Sequence, residues 1–146
     1  MMQLKRSLIL PNDIETIPQL NEFIDAVAEE VALDMSLAMS LNLAIEEAVV
    51  NVMEYAYPDG EKGNVEIEVT VDEGWLTFII SDSGIAFDPT SKEDADTTLS
   101  AEERPIGGLG IFLVKKLMDT IEYQRTDGKN VLTLRKNIGA KHTQNT

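Results

Sequence analysis

The chain has 146 residues, of which 43% are hydrophobic and 26% charged, a composition typical of one globular domain with a sizeable core. Its 26 acidic and 12 basic residues give a formal net charge of −14, which argues against binding the phosphate backbone of DNA or RNA and is compatible with a basic protein partner. The absence of cysteine excludes disulfides and thiolate metal sites, and no apolar run suggests a membrane span, so a cytoplasmic location is expected.

The N-terminal part of the chain predicts one strand and two helices. An apolar stretch ended by a proline is typical of a strand. Apolar residues that recur at steps of three and four, after a Ser, Asp or Asn, are typical of a capped helix. The predicted elements are a strand over residues 3–10, a helix to about residue 31 capped by Asn12 or Asp13, and a helix from Asp34 or Ser36 to about residue 57.

The second predicted helix contains the stretch AIEEAVVNVMEYAY over residues 44–57. Glu47 and Asn51 stand four residues apart in it and therefore share one helix face. A solvated face is the ordinary explanation for such a pair. However, asparagine is a poor helix former because its side chain competes for backbone hydrogen bonds. Asn51 is therefore a candidate functional residue.

The rest of the chain predicts four strands, a polar loop and one helix. NVEIEVTV alternates apolar and polar residues, as a strand with one buried face does, and Asp127-Gly128 is a strong hairpin signal. The predicted strands cover residues 64–71, 75–81, 121–126 and 130–136, the loop 88–105 is a lid or an insert, and the helix lies within 106–120. This order predicts an α+β fold, a two-layer sandwich in which helices cover one face of a mixed β-sheet. Residues 1–137 are expected to form a single domain, followed by a polar tail at 138–146.

A carboxylate and a glycine follow the third strand in the stretch IISDSGIAFDP. Asp82 at the strand end could accept a hydrogen bond from an amino group such as that of adenine. Gly84 would let the backbone approach a flat ring closely. The alternative is an ordinary strand-ending turn, for which Asp-Ser-Gly is common.

Three glycines lie where the polar loop becomes a helix, in the stretch PIGGLGIFLVKKL. Gly107, Gly108 and Gly110 would leave backbone N–H groups and the positive end of the helix dipole open to a phosphate group. The alternative is a flexible hinge for the preceding loop. The stretch is neither a Walker A loop nor a dinucleotide-binding fingerprint.

The three stretches in this order resemble the N, G1 and G2 boxes of the ATPase superfamily that includes gyrase, histidine kinases and mismatch-repair ATPases. The resemblance spans about residues 35–136 and implies the Bergerat-type ATP-binding fold. Within it, EAVVNVMEYAY, DSGIAFDP and GGLGIFLVKKLMD are most similar to the small bacterial anti-sigma factor serine kinases.

This resemblance implies a role for each matching residue. Glu47 corresponds to the catalytic carboxylate and Asn51 to the asparagine that ligates magnesium, a hard cation that prefers oxygen donors. Asp82 corresponds to the adenine-binding aspartate, and the segment before the glycines to the ATP lid. The other implied nucleotide-binding positions are Gly84, Ala86 (where glycine is commoner), Gly107, Gly108, Leu109, Gly110 and Thr133 near adenine.

The implied function is that of an ATP- and Mg²⁺-dependent protein serine kinase that is also an anti-sigma factor. Such a protein binds a sigma factor and phosphorylates an anti-anti-sigma (STAS-domain) protein. Related kinases suggest a homodimer through the first strand and helix. No direct binding of nucleic acid or membrane is expected. The alternative is a nucleotide-gated interaction module with little or no kinase activity.

Overall fold

The computed structural model describes residues 3–58, 60–91 and 108–139. Its elements are β1 (Leu4–Pro11), α1 (Ile17–Glu30), α2 (Met35–Tyr55), β2 (Asn64–Asp72), β3 (Trp75–Asp82), α3 (Gly108–Leu117), β4 (Thr120–Thr126) and β5 (Lys129–Asn137), with 3₁₀ turns at Ile14–Thr16 and Pro89–Ser91. This is the predicted order of strands and helices. Most of the predicted lid, Gly107 and the tail beyond residue 139 lie outside the described residues.

The five strands form one sheet in the order β1-β2-β3-β5-β4, and every pairing is antiparallel. The predicted α+β sandwich is confirmed, but the sheet is not mixed, as the sequence had suggested. β3 and β4 each pair antiparallel with β5, so these two strands run parallel to each other. They do not pair because β5 folds back between them.

The core lies between the helices and one face of the sheet. Alternate residues of β2 and β3 are buried on that face, which follows from the two-residue period of a strand. The buried face of α2 packs on this layer, and Asp34 caps the helix by accepting a hydrogen bond from the backbone N–H of Leu37 at 2.8 Å. The largest fully buried side chains are Phe78, Leu10, Leu20, Ile24, Leu41, Ile45, Ile67, Leu76, Ile80, Leu134 and Val31.

The packed structure extends past the predicted domain end at residue 137. The Ile138 side chain is buried in the core, and its backbone N–H donates to the Gly74 carbonyl at 2.9 Å. The hairpin between β2 and β3 therefore holds the start of the segment expected to be a polar tail.

By length and composition alone, α2 could cross a membrane, which differs from the expectation of no apolar run long enough for a span. This is weak support for a span, because core helices of soluble proteins pass the same test. Leu41, Ile45 and Val49 of α2 are buried in the core of this fold. Their hydrophobicity is thus used in packing against the protein itself.

Candidate functional site

The structure places Glu47 and Asn51 one turn apart on α2. The Asn51 side chain is buried, and its Nδ2 donates to the Glu47 backbone carbonyl at 3.0 Å. This bond orients the amide with its nitrogen toward the helix backbone and its oxygen on the other side. Asn51 therefore does not lie on a solvated face.

Glu47 is partly buried and lies among other carboxylates. Burial raises the pKa of its carboxyl above the ordinary 4.5, and the negative charges of Glu46 and Glu54 raise it further. Glu46 itself faces α1, where it accepts a hydrogen bond from Asn21 Nδ2 at 3.1 Å. The two adjacent glutamates thus have different surroundings, although their charges interact.

Asp82 ends β3 and has only 4% of its surface exposed. Its Oδ1 accepts two hydrogen bonds, from the Gly84 backbone N–H at 2.8 Å and from Asn130 Nδ2 at 2.9 Å. Its Oδ2 has no hydrogen-bond partner among the described residues. A buried acceptor without a partner is costly and points to a donor supplied by a ligand.

The pKa of Asp82 reflects the same surroundings. Burial raises it above the ordinary 3.8, while the hydrogen bonds from Asn130 and Gly84 and the charge of Arg125 oppose that rise. Arg125 is close because its guanidinium Nη1 donates to the Gly84 carbonyl at 2.9 Å.

Asn130 in β5 connects Asp82 to the loop after β3 and was missed by the sequence analysis. Besides the bond to Asp82, its Nδ2 donates to the Ile85 carbonyl at 2.7 Å, and its Oδ1 accepts from the Phe87 backbone N–H at 3.1 Å. The Tyr123 hydroxyl also donates to this oxygen. The sequence does hold a hint of this role, because Asn130 is a polar residue that begins the predicted strand, two residues after the hairpin glycine. Only the strand register places it opposite Asp82.

Thr133 lies elsewhere than the resemblance suggested. Asn130, Leu132 and Leu134 are buried on the helix-covered face of the sheet. Side chains alternate along a strand, so Thr133 points to the opposite face and away from Asp82. The β5 residue that contacts the aspartate is Asn130.

Gly84 packs against the C-terminal end of α2. A Cβ atom added there would lie 2.2 Å from the Ala56 carbonyl oxygen, which no side chain can tolerate without movement. The next residue, Ile85, donates its backbone N–H to that same oxygen at 2.8 Å. The loop carrying Asp82 is thereby fixed to the helix that carries Asn51, whereas Ala86 is exposed in that loop.

The structure begins α3 at Gly108, so Gly108, Leu109 and Gly110 form its first turn. Their backbone N–H groups are among those that an α-helix leaves without intrahelical partners. Gly107, the first glycine of the stretch, lies outside the described residues.

The described residues contain no group of three or more His, Cys, Asp or Glu side chains that could hold a metal ion by themselves. A Mg²⁺ ion that Asn51 helped to hold would take its other ligands from water and a bound phosphate chain, as is common for this ion. A cleft of about 1090 Å³ lies beside Tyr55, Tyr57 and Gly63, but neither Asp82 nor Glu47 lines it. The candidate site residues Asp82 and Glu47 therefore lie outside that cleft.

Comparison with known proteins gives relatives that cover most of the chain. Serine-protein kinase RsbW of Listeria monocytogenes is 30% identical over 132 residues, which are 88% of this chain and 84% of that protein. Serine/threonine-protein kinase BtrW of Bordetella bronchiseptica is 31% identical over 98 residues, 67% of this chain and 69% of that protein.

The similarity to solved structures concerns the fold. The blue-light activated histidine kinase of Erythrobacter litoralis superposes with a TM-score of 0.59 at 15% identity, over 86% of this chain. This chain spans 42% of that kinase chain. The family described as histidine kinase-like ATPase domain matches residues 10–136, which include α2, the loop after β3 and the start of α3. The chain belongs to the histidine kinase-like ATPase domain family.

Proposed function

We propose that this protein is an ATP-dependent protein serine kinase that also acts as an anti-sigma factor. The observation that carries the proposal is the buried Asp82 carboxylate, which has one oxygen bound by the protein and the other without a partner among the described residues. Relatives that are serine-protein kinases support the reaction class.

The nucleotide would bind between the loop after β3 and the start of α3. Asp82 Oδ2 accepts a hydrogen bond from the exocyclic amino group of adenine, because an ionised carboxylate is an acceptor only. Gly84 lets the loop pack against the end of α2 and so holds Asp82 in position for the base. The N–H groups of Gly108 and Gly110 donate to phosphate oxygens.

Glu47 would act as the general base of phosphoryl transfer. A serine hydroxyl of the partner gives its proton to the Glu47 carboxylate while its oxygen bonds to the γ-phosphorus. The bond from that phosphorus to the β,γ-bridging oxygen breaks, and ADP leaves with the bonding electrons. Asn51 would help to hold Mg²⁺, which supplies charge neutralisation for the phosphate oxygens.

The proposed phosphate acceptor is a STAS-domain anti-anti-sigma protein, and the competing partner is a sigma factor. The net charge of −14 suits a sigma factor with basic surfaces and does not suit nucleic acid. A cytoplasmic location and a homodimer through β1 and α1 belong to the same proposal. In its support, β1 is an edge strand and carries Ile9, which is 60% exposed.

The test is to incubate the full chain with γ-labelled ATP, Mg²⁺ and a purified STAS-domain protein from the same genome. We expect label on a serine of the STAS protein, and none when that serine is replaced by alanine. Binding of the STAS protein without any transfer would instead favour the nucleotide-gated interaction module. Absence of ATP and ADP binding would refute both functions.

A further inference from the structure

The N-terminal half of α2 exposes a row of large apolar side chains. Met35, Met39 and Leu43 are 78%, 67% and 49% exposed, and we call them the exposed α2 row. They stand four residues apart and are therefore neighbours along the helix surface. The next member of the series, one turn further, is Glu47. Large apolar side chains clustered on a surface often mark an interaction site.

The exposed α2 row lies between the two neighbouring helices. On one side, Asn42 and Glu46 are bonded to Asn21 of α1. On the other side, Leu43 lines a pit of about 210 Å³ together with Leu113 and Leu117 of α3. The row is thus the part of the α2 surface that neither helix covers, with an apolar pit at its edge.

The rim of this pit is positively charged on a strongly acidic chain. Lys115 and Lys116 are exposed at the end of α3, and Lys116 also lines the pit. The Lys116 ammonium lies 4.8 Å from the centre of the Phe112 ring. Its stem therefore adds apolar surface to the edge of the pit while its charge stays at the rim.

We propose that the exposed α2 row is the docking surface for the protein substrate of the kinase. The substrate presents an apolar side chain to the pit and an acidic side chain to Lys116, next to its phosphoacceptor serine. This inference rests on the proposed function. It is favoured because a protein seated on this row lies one helix turn from Glu47, where the reactive hydroxyl must arrive.

Two other binding partners for this surface, a second copy of the chain and a membrane, fit these observations less well. A second copy of the chain on the row would cover the approach to Glu47. An anionic membrane would be repelled by a net charge of −14. A partner with an apolar patch and an acidic rim complements both features of the surface.

The experiment replaces the row with polar residues of similar size, as Met35→Gln, Met39→Gln and Leu43→Gln together. The matched control is Ile14→Gln, another strongly exposed apolar residue, in the 3₁₀ turn before α1. With a purified STAS-domain protein as substrate, we expect the triple variant to raise KM for that protein by about tenfold or more, with kcat unchanged. An unchanged KM, or an equal rise in the Ile14 variant, would overturn the proposal.

Direct binding separates this inference from the kinase proposal. If the wild type transfers no phosphate, the kinase proposal fails, but calorimetry with the STAS protein and ADP still tests docking. Affinity lost in the triple variant and kept in the control supports docking, whereas equal affinity overturns it. A triple variant that changes only its own oligomeric state in sedimentation would assign the row to a second copy and would also overturn it.

A charge reversal gives an independent check that leaves the apolar row intact. Lys116→Glu should slow association with the STAS protein several-fold and weaken the salt dependence of the on-rate, because the partner is expected to be acidic there. Faster association in this variant would contradict the proposed charge complementarity.

Discussion

The two oxygens of Asp82 have different surroundings, so a substitution of this residue can separate ligand binding from folding. Oδ1 accepts from Gly84 and Asn130, and an asparagine oxygen could accept the same two bonds. Oδ2 would be replaced by an amide nitrogen, which is a donor. The loop geometry should survive this exchange, but the acceptor for adenine should not.

We expect Asp82→Asn to weaken ATP and ADP binding by about 1–3 kcal/mol, because a donor would then face the amino group of adenine. Thermal stability should not fall, since the variant removes a buried charge whose burial raises the pKa of the wild-type carboxyl. Isothermal calorimetry and a thermal melt measure the two effects. Unchanged nucleotide affinity would contradict the adenine role.

The raised pKa of Glu47 predicts a distinctive acid limb in the rate of phosphate transfer. A base must be deprotonated, so the rate should fall as pH drops through a pKa displaced above 4.5. Glu46→Gln should shift this limb toward lower pH, because it removes a neighbouring negative charge and keeps an acceptor for Asn21.

Glu47→Gln should abolish most phosphate transfer while ATP still binds. A pH–rate profile tests both variants, and normal transfer by the Glu47 variant would exclude it as the base.

The same shift has a consequence for stability. A carboxyl whose folded-state pKa is raised favours the folded protein at low pH, and this contribution is lost as pH rises from 4.5 through the folded value. Above the folded value, the ionised Glu47 carboxylate destabilises the folded protein relative to the unfolded chain. Glu47→Gln should be at least as stable as the wild type there.

Asn130 is expected to contribute to both the stability of the fold and the binding of nucleotide. Asn130→Ala would leave the Ile85 carbonyl and the Phe87 N–H without their partner, and we expect a loss of about 1–3 kcal/mol in the free energy of unfolding. ADP binding should weaken as well, because Asp82 loses a donor that orients it. Asn137→Ala is the control, an exposed asparagine of the same strand. Denaturant titration that finds the two variants equal would contradict this role.

Among the elements, the contact between the end of α2 and the loop after β3 joins the two halves of the site. Gly84 and Ile85 meet the Ala56 carbonyl there, so the helix that carries Asn51 and the strand that carries Asp82 cannot move independently. The close approach requires glycine for space, since the added Cβ would collide with backbone.

Gly84→Ala should therefore separate α2 from this loop. We expect lower thermal stability together with weaker ADP binding, because the helix end and the loop must shift to accept the methyl group. Ser83→Ala is the matched control, since that side chain is exposed and its residue bonds Tyr57 through the backbone. A Gly84→Ala protein with normal melting temperature and affinity would show that the contact is dispensable.

For the whole molecule, nucleotide binding should couple the helical layer to the sheet. A ligand present at a hundred times its dissociation constant stabilises the folded state by about 2.7 kcal/mol, which corresponds to a rise of roughly 5–10 °C in melting temperature for a chain of this size. With Mg²⁺ and ATP we expect such a rise. In Asn51→Ala, the part of this rise in melting temperature that depends on Mg²⁺ should disappear. A variant whose melting temperature depends on Mg²⁺ as in the wild type would contradict metal ligation by Asn51.

Much of the fold could be predicted because local patterns specify it. The alternation in residues 64–71, the Asp127-Gly128 turn and the capping position of Asp34 each define an element without long-range information. The amide of Asn51 and the carboxylate of Asp82 were recognisable because each is a polar residue in an apolar context. The role of either remains a proposal.

What the sequence by itself determined is the order of elements, their approximate ends and the family. Only the tertiary structure decided how the strands pair, and with that which residue meets Asp82. The insertion of β5 between β3 and β4 makes the sheet antiparallel and places Asn130, not Thr133, beside the aspartate. The reason is that side chains alternate along a strand, so a register set by distant pairing decides which polar residue enters the site.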